Sequence, residues 1–545
     1  MTEPNRTEPA PMEDAAPDQA RKAGRGGLAV LGAKVFFIAT GLVQQALLPR
    51  AIGLADYGAL SRVLAVSNVF NNVVVSSSTQ GVSRTVAAAG TAEREALRAT
   101  LRVHGVIALI AGLTLAIASP FVAYFEHAPD VLAPLLVMTG VLLVYSVYAP
   151  LVGYLNGRGL FTRQAALDVV AATLRTSALL GIGWFFARNA GSLATSVGTS
   201  PGVLGATVGA VVASIGVFLL ALRWTGLGTK TVGERPAGVP DSRTYIKLIL
   251  PVMIAQVFTN GLMQADIIML GRYLSLSAPA IDPSMVYVDV PLTPQKAANE
   301  WVAVYRACQL FAFLPYQMLF SVTQVLFPLV ARAKAEDGGV RVPELVRRGC
   351  RIGAIVCGML VVVVLVMPGS LIKFAYGQEV ALRGFGTLRI LALGQAAFAM
   401  LGLATTVLVS LGRERIAMTI TAIALAMLGT TCAILIPLAP FGSPQLDATA
   451  KATTAALVCA LVVAVVFVRR EAGAFVPLKT AIRVGMCVAA AFFAGGYTPM
   501  FSKLITPVVA AGVCVAYLVA LVATGELGKA DLSLIVSIAG RRAKR

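Results

Sequence analysis

Four basic side chains sit in stretches otherwise too apolar to hold them: Lys34, Arg62, Arg175 and Arg306. A charge at the middle of a membrane-spanning helix costs about 2.5–3.5 kcal/mol on insertion scales, so each is expected to face protein or water rather than lipid. Guanidinium and ammonium groups there replace the water that a phosphate or carboxylate loses, so a basic interior suits an anionic cargo. Polar amides accompany them. On a helix of about 3.6 residues per turn, Arg62, Gln80 and Arg84 project within about 40° of one line. Ser61, Asn68, Asn72 and Thr79 form a second stripe about 100° away, and the two together make one broad polar side. Gln256, Asn260 and Gln264 follow one another at i, i+4 and i+8, with Asp266 close by. Lys34, Gly41 and Gln45 share a line, and Asp168 and Arg175 share a face.

Each of these residues also has a plainer reading. Lys34, Arg62 and Arg306 lie near enough to the ends of their runs to snorkel to the interface. Arg175 is closer to mid-span and calls for an acidic neighbour, Asp168 or Asp266. The two aspartates are either structural counter-charges or sites of ion coupling, by H+ or Na+. The Asn and Gln rows serve as cargo contacts or as glue between helices.

The polar face is repeated. Arg62, Ser77, Thr79, Gln80, Val86 and Ala87 recur at one constant offset as Arg306, Ser321, Thr323, Gln324, Val330 and Ala331, 244 residues on. In the second copy Arg306, Gln317, Ser321 and Gln324 fall on one face, with Gln309 at its edge, and Pro315 is expected to kink the helix.

The elements that carry these residues follow from composition. A chain that is 57% hydrophobic and 13% charged, with mean hydropathy +0.80, is an all-α integral membrane protein. Its apolar runs are about 20 residues long, enough to cross about 30 Å of hydrocarbon as helix. Fourteen such runs are expected. Residues 1–25 form a disordered tail, 26–224 a six-helix bundle, 225–245 a linker, 246–470 a second six-helix bundle, 471–524 two additional helices and 525–545 a basic tail. An even number of spans per half makes the repeats parallel, with a cavity between them. Only nine basic residues fall on the side away from the N-terminus: Arg50, Arg188, Arg272, Lys296, Lys373, Arg383, Arg389, Lys451 and Lys503. Setting aside the four embedded ones, the remaining 32 of the 45 lie on the N-terminal side. By the positive-inside rule both termini are cytoplasmic.

The formal charge of +19 is spread over short loops, which makes it a topology and lipid-headgroup signal and not a nucleic-acid surface. The seven cysteines show no CxxC spacing and two histidines leave little for ligation, so no metal site, disulfide or cofactor is expected. Neither a Walker loop nor a dinucleotide fingerprint nor HExxH is present. Glu126, His127 and Asp130 sit in an outer loop too short to build a site and are read as loop chemistry. The outer loop 271–300, with Asp282, Asp289 and Glu300 among several prolines, is read first as a plain connection, though it is long enough for a small lid or plug.

The segment Arg50-Ala-Ile-Gly-Leu-Ala-Asp-Tyr-Gly-Ala-Leu-Ser61, behind a first span with a basic tail, resembles the opening of bacterial polysaccharide-biosynthesis membrane proteins. These are the O-antigen-type flippases of the multidrug/oligosaccharidyl-lipid/polysaccharide (MOP) exporter superfamily. Asp266-Ile-Ile-Met-Leu-Gly-Arg272, Val304-Tyr305-Arg306-Ala307 and Leu408-Val409-Ser410-Leu411-Gly412-Arg413 resemble that family's second half. The likeness covers roughly residues 25–470. It implies alternating access in the inner membrane: two bundles rock about a basic cavity and carry a polyprenyl-pyrophosphate-linked oligosaccharide from the cytoplasmic to the outer leaflet. By the same resemblance the cavity's basic residues bind the headgroup, here Lys34, Arg62, Arg175 and Arg306. Membrane lipids and other polysaccharide-assembly proteins are the further partners it implies. The arginine pattern of the lipid II flippase branch is not matched in the first span, where Lys34 alone is basic. The alternatives are a cation-coupled multidrug exporter of the same fold, which the basic excess disfavours, and a polytopic polymerase, ligase or glycosyltransferase, which would need a larger outer loop.

Overall fold

The computed structural model describes residues 15–189, 196–226, 241–278, 293–336 and 338–528. Among these residues there are sixteen α-helices and no strand. The first half holds α1 (Ala15–Ile52), α2 (Leu54–Ala88), α3 (Glu93–Phe125), α4 (Leu132–Gly157), α5 (Phe161–Asn189) and α6 (Pro201–Thr225). The second holds α7 (Ser242–Ser277), α8 (Pro294–Ala312), α9 (Leu314–Glu336), α10 (Val342–Val366), α11 (Pro368–Tyr376), α12 (Gln378–Ser410), α13 (Glu414–Leu435) and α14 (Ser443–Ala472). Two more follow, α15 (Leu478–Ala494) and α16 (Thr506–Ala523). The linker expected at 225–245 falls largely outside the described residues, as do the ends of both tails. Of the loop expected at 271–300, residues 279–292 lie outside them, and most of the rest is helix, the end of α7 and the start of α8.

Among the described residues thirteen spans are long and apolar enough to cross a membrane, counting α8 and α9 as one. The fourteenth expected crossing is α15, whose 17 residues give about 25 Å of rise. The chain is a multi-pass membrane protein. We call the end at which α1 begins the near end and the opposite one the far end. Helix ends follow local chemistry. Ser200 caps α6 with Pro201 behind it and Thr293 caps α8 with Pro294 behind it, in each case accepting the N–H three residues on. The kink expected at Pro315 is an interruption of one residue: α8 ends at Ala312, Phe313 keeps helical angles, and α9 starts at Leu314. The proline ring carries no N–H for the Phe311 carbonyl.

The buried core of the described residues falls into three clusters. The largest is built mostly from the second half and takes in Ala65 of α2; the two smaller ones are built mostly from the first half and take in Ala303 of α8 in one and Tyr245 and Ile249 of α7 in the other. Helix α15 packs on α10, and α16 on α10 and α15, at the edge of the second half. Between the halves α2 does most of the joining, packing on α7 along much of its length and on α8, with lesser contacts of α3 on α7 and of α1 on α8 and α11. Helix α9 packs instead on α12, α10 and α8, all in its own half. The halves meet at the far end through both α7 and α8. Toward the near end α2 still packs on α7, with Gly81 against Ile249 and Tyr245, but parts from α9, where Gln80 and Arg84 of α2 and Ser321 and Gln324 of α9 are exposed.

Candidate functional site

Arg62 lies in the seam between the halves and is 1% exposed. Its Nη1 donates to Ser275 Oγ of α7 at 2.8 Å and stands 3.9 Å from Glu126 Oε2. Glu126 closes α3, where its N–H bonds the Val122 carbonyl at 2.8 Å, and its side chain is fully enclosed. The pair fits because Gly271 of α7 lies opposite: a Cβ there would stand 3.2 Å from Arg62 Nε and 3.3 Å from Glu126 Oε2. Burial pushes the Glu126 carboxyl up to about 7, the nearby Arg62 charge opposing the rise and Asp130 adding to it. Removing one partner of such a pair costs about 3–5 kcal/mol, because the other stays buried and charged.

Asp130, four residues on, fastens the same corner to α8. It accepts from Gln295 Nε2 at 3.1 Å and from Asn299 Nδ2 at 3.0 Å, while its backbone carbonyl accepts from Thr199 Oγ1 at 2.8 Å. Arg272 bonds the Phe125 carbonyl and stacks on the Phe125 ring, 4.2 Å from its centroid. At Gly58 the backbones of α2 and α8 come so close that a Cβ would lie 1.7 Å from the Asn299 carbonyl oxygen. Helix α1 joins through Arg50, which donates to the Ala375 carbonyl at 3.0 Å. The Tyr57 hydroxyl donates to Gln45 at 2.6 Å and lies 3.3 Å from Tyr376 Oη. Together these groups lock the far end. The acidic loop expected to be mere loop chemistry is thus half of a seam between the two bundles, since its partners arrive from across the chain.

Below the lock the seam stays polar. Asn72 Nδ2 donates to Asn260 Oδ1 at 3.0 Å, and Asn260 Nδ2 donates in turn to the carbonyl and side chain of Gln256. Toward the near end His104 bridges Ser78 of α2, at 3.1 Å, and Tyr245 of α7, at 2.8 Å. Asn72, Gln256 and Asn260 are therefore brought together as interhelical contacts, while Gln264 is buried nearby.

The other expected site residues divide by half. Arg306, half-buried on α8, donates to Gln309 Oε1 at 3.0 Å. Gln309 Nε2 reaches both Asp266 oxygens, at 3.1 and 3.0 Å, and the Tyr305 hydroxyl donates to Asp266 at 2.8 Å. Arg306 and Asp266 are so joined through one amide. Arg306 stands seven residues deeper along α8 than Asn299, about 10 Å below the lock, and its field reaches Tyr57 and Tyr376. Arg175 and Asp168 are half-buried on α5, their fields reaching Tyr145 and Tyr148 of α4 respectively. Asn68 and Gln317 are half-buried, and Gln80 and Gln324 are exposed where the halves part. The Lys34 side chain lies outside the described residues. Arg62 differs from the expectation of a cavity-lining group: in this conformation it is sealed inside the lock. Sequence reasoning missed Ser275, Gln295, Asn299 and Tyr305. The one local signal for them was glycine where two helices must nearly touch, at Gly58 and Gly271.

Solved structures match the fold of this two-halved bundle. A lipid II flippase MurJ in an inward closed conformation aligns with TM-score 0.65 at 12% identity, over 90% of this chain and 97% of that one. An outward-facing multidrug resistance transporter of the MATE family gives 0.55 at 14%, over 84% and 96%. A MOP superfamily transporter from Pyrococcus furiosus gives 0.54 at 15%, over 82% and 95%. Among curated proteins none is significantly similar in sequence. The polysaccharide biosynthesis protein family matches residues 23–334, and the chain belongs to that family.

Proposed function

We propose that this protein is a flippase that carries a polyprenyl-pyrophosphate-linked oligosaccharide across the inner membrane, from the leaflet at its near end to the leaflet at its far end. The observation that carries the reading is the asymmetry of the seam: the halves are bolted together at the far end and part between α2 and α9 toward the near end. The excess of Lys and Arg in the near-end loops supports a cytoplasmic side for that opening and for both termini. Cargo would enter there with its lipid tail left in the bilayer. Its pyrophosphate would be met by Arg306 under the lock and by Arg175 from the first half, as the cost of embedding those charges suggests. Release on the other side requires the Arg62–Glu126 and Asp130–Asn299 contacts to part while the near end closes. Asp266, held by Tyr305 and tied to Arg306 through Gln309, is the group we assign to H+ or Na+ coupling. Family membership supports the substrate class and the absence of enzyme chemistry, and the basic interior disfavours a cationic drug as cargo. A translocation assay in reconstituted vesicles tests this: wild type moves a pyrophosphate-linked oligosaccharide, and Arg306→Ala and Arg175→Ala each lower the rate at least tenfold. Unchanged transport in both variants removes the site assignment.

A further inference from the structure

Apart from the seam, the second half holds a half-open cavity of about 150 Å3 between α7, α9, α12 and α13. Its wall has two chemistries. One side is aromatic: Tyr316 of α9 lies tilted against Phe398 of α12, ring centroids 4.6 Å apart. Gly402 makes room for this, since a Cβ there would stand 3.3 Å from the Tyr316 ring. The other side is a set of hydroxyls, Thr259, Thr323, Thr405, Thr406 and Thr421, and among the described residues no charged group lines the cavity. Thr405 and Thr406 both donate to the Gly402 carbonyl, at 3.0 and 2.8 Å, and Thr259 donates to Ala255 at 3.0 Å. Thr421 donates to Ala417 at 2.8 Å. A threonine hydroxyl has one hydrogen and two lone pairs, so these four present spent donors and open acceptors. A ligand that suits the wall must be neutral, must bring its own donors, and must lay an apolar face on an aromatic ring.

We propose that the cavity is a sugar subsite, taking one ring of the glycan next to the pyrophosphate. A pyranose offers hydroxyl donors around its rim and C–H groups on its faces, and a cavity of this volume holds about one six-membered ring. An acyl chain brings no donors and a phosphate brings charge, so neither matches. Thr259 adjoins Asn260, whose amide meets Asn72 of α2, which sets the subsite beside the seam. Arg306 precedes Tyr316 by ten residues across the α8–α9 interruption, at most about 15 Å of helix rise, so a headgroup held at Arg306 reaches the cavity with its first sugars.

This subsite rests on the flippase reading, and the two can be separated by measuring the binding of two lipids to the full chain in nanodiscs. The probes are undecaprenyl pyrophosphate and the same lipid carrying one N-acetylhexosamine. The wild type is expected to hold the sugar-bearing lipid about tenfold more tightly, the scale of one or two hydrogen bonds. Thr406→Val, which keeps shape and removes the hydroxyl, and Tyr316→Leu each erase that margin and leave the affinity for the bare lipid within twofold. A margin that survives in both variants overturns the subsite. So does a wild type that binds both lipids equally, although the flippase reading then stands if Arg306→Gln weakens both. A wild type that binds neither lipid overturns both proposals.

Discussion

Glu126 carries a pH dependence whose sign the geometry fixes. Enclosed with Arg62 in the shut far end, its carboxyl is pushed by burial up to about 7; once the lock parts and water enters, it returns toward its ordinary 4.5. Between those values the shut state holds a proton that the open state has released. The shut state is therefore favoured fully below about pH 4.5 and loses that advantage as pH rises through about 7, the open-to-shut ratio growing about tenfold per pH unit inside the window. Spin labels at Tyr124 and Leu438, far-end residues 81% and 78% exposed, report the opening by pulsed resonance distances in a background lacking the native cysteines. Glu126→Gln should flatten the profile; a variant that keeps it places the proton elsewhere. Gly58→Ala tests the close approach of α2 to α8. Its Cβ has no room beside Asn299, so a fall in melting stability of about 1–3 kcal/mol or more is expected. Gly105→Ala, in open space on α3, should be neutral or stabilise slightly. Glu126 and Asp130 are plain in the sequence, yet nothing there marks them as a lock. The residues that complete it with Asp130 are 165 and 169 positions away, and a short loop shows only its own length. The four embedded cations were legible because their cost in hydrocarbon is local; whether they face a cleft or a sealed seam is set by helices from the other half.

Among the elements, the α8–α9 break separates the two duties of the second polar copy. Helix α8 ends against α2 with Arg306 beneath the lock, while α9 swings into its own half and carries Gln317, Ser321 and Gln324 along the opening. Its partner in the repeat, α2, is one continuous helix of 35 residues, so the duplication is not symmetrical in mechanics. Pro315 made this break readable, because a missing N–H and a ring clash are local facts; the direction in which α9 departs is not, since packing on α12 decides it. Pro315→Ala should let the helix run through, leaving lipid binding within about threefold but slowing translocation at least tenfold in vesicles. A normal rate would mean the break is not a hinge. The last two helices have a different attachment. Glu526 accepts from Arg351 Nε at 2.8 Å, Arg483 Nη1 at 2.9 Å and Thr480 at 2.6 Å. Burial alone would raise its carboxyl, but these bonds hold it below the usual value. That contribution to the docking of α15 and α16 is present at neutral pH and is lost as pH falls through the depressed value. Glu526→Gln should raise hydrogen exchange in α15 and α16 and leave α1–α6 unchanged.

For the molecule as a whole, apolar length was enough to give membrane class and span number within one, since both are written along the chain at helix scale. The seam was not, because it depends on which face of α2 meets α7 and α8, and helical periodicity leaves that choice open. The seam now makes the flippase reading mechanical: cargo loaded from the near end can leave only if the far end parts. A bridge across the lock should therefore separate binding from transport. Asp130→Cys and Asn299→Cys place two thiols where the native side chains are 3.0 Å apart, and a short bis-thiosulfonate reagent can join them in a background lacking the native cysteines. Bridged protein in vesicles should bind undecaprenyl-pyrophosphate-linked sugar from the near side with its affinity kept within about threefold and show translocation reduced at least tenfold, with recovery on adding reductant. Loss of the two native hydrogen bonds is controlled by the same double variant left unbridged. Full transport through a bridged far end would mean that cargo does not pass between the halves, and the alternating-access reading would have to be given up while the fold stood.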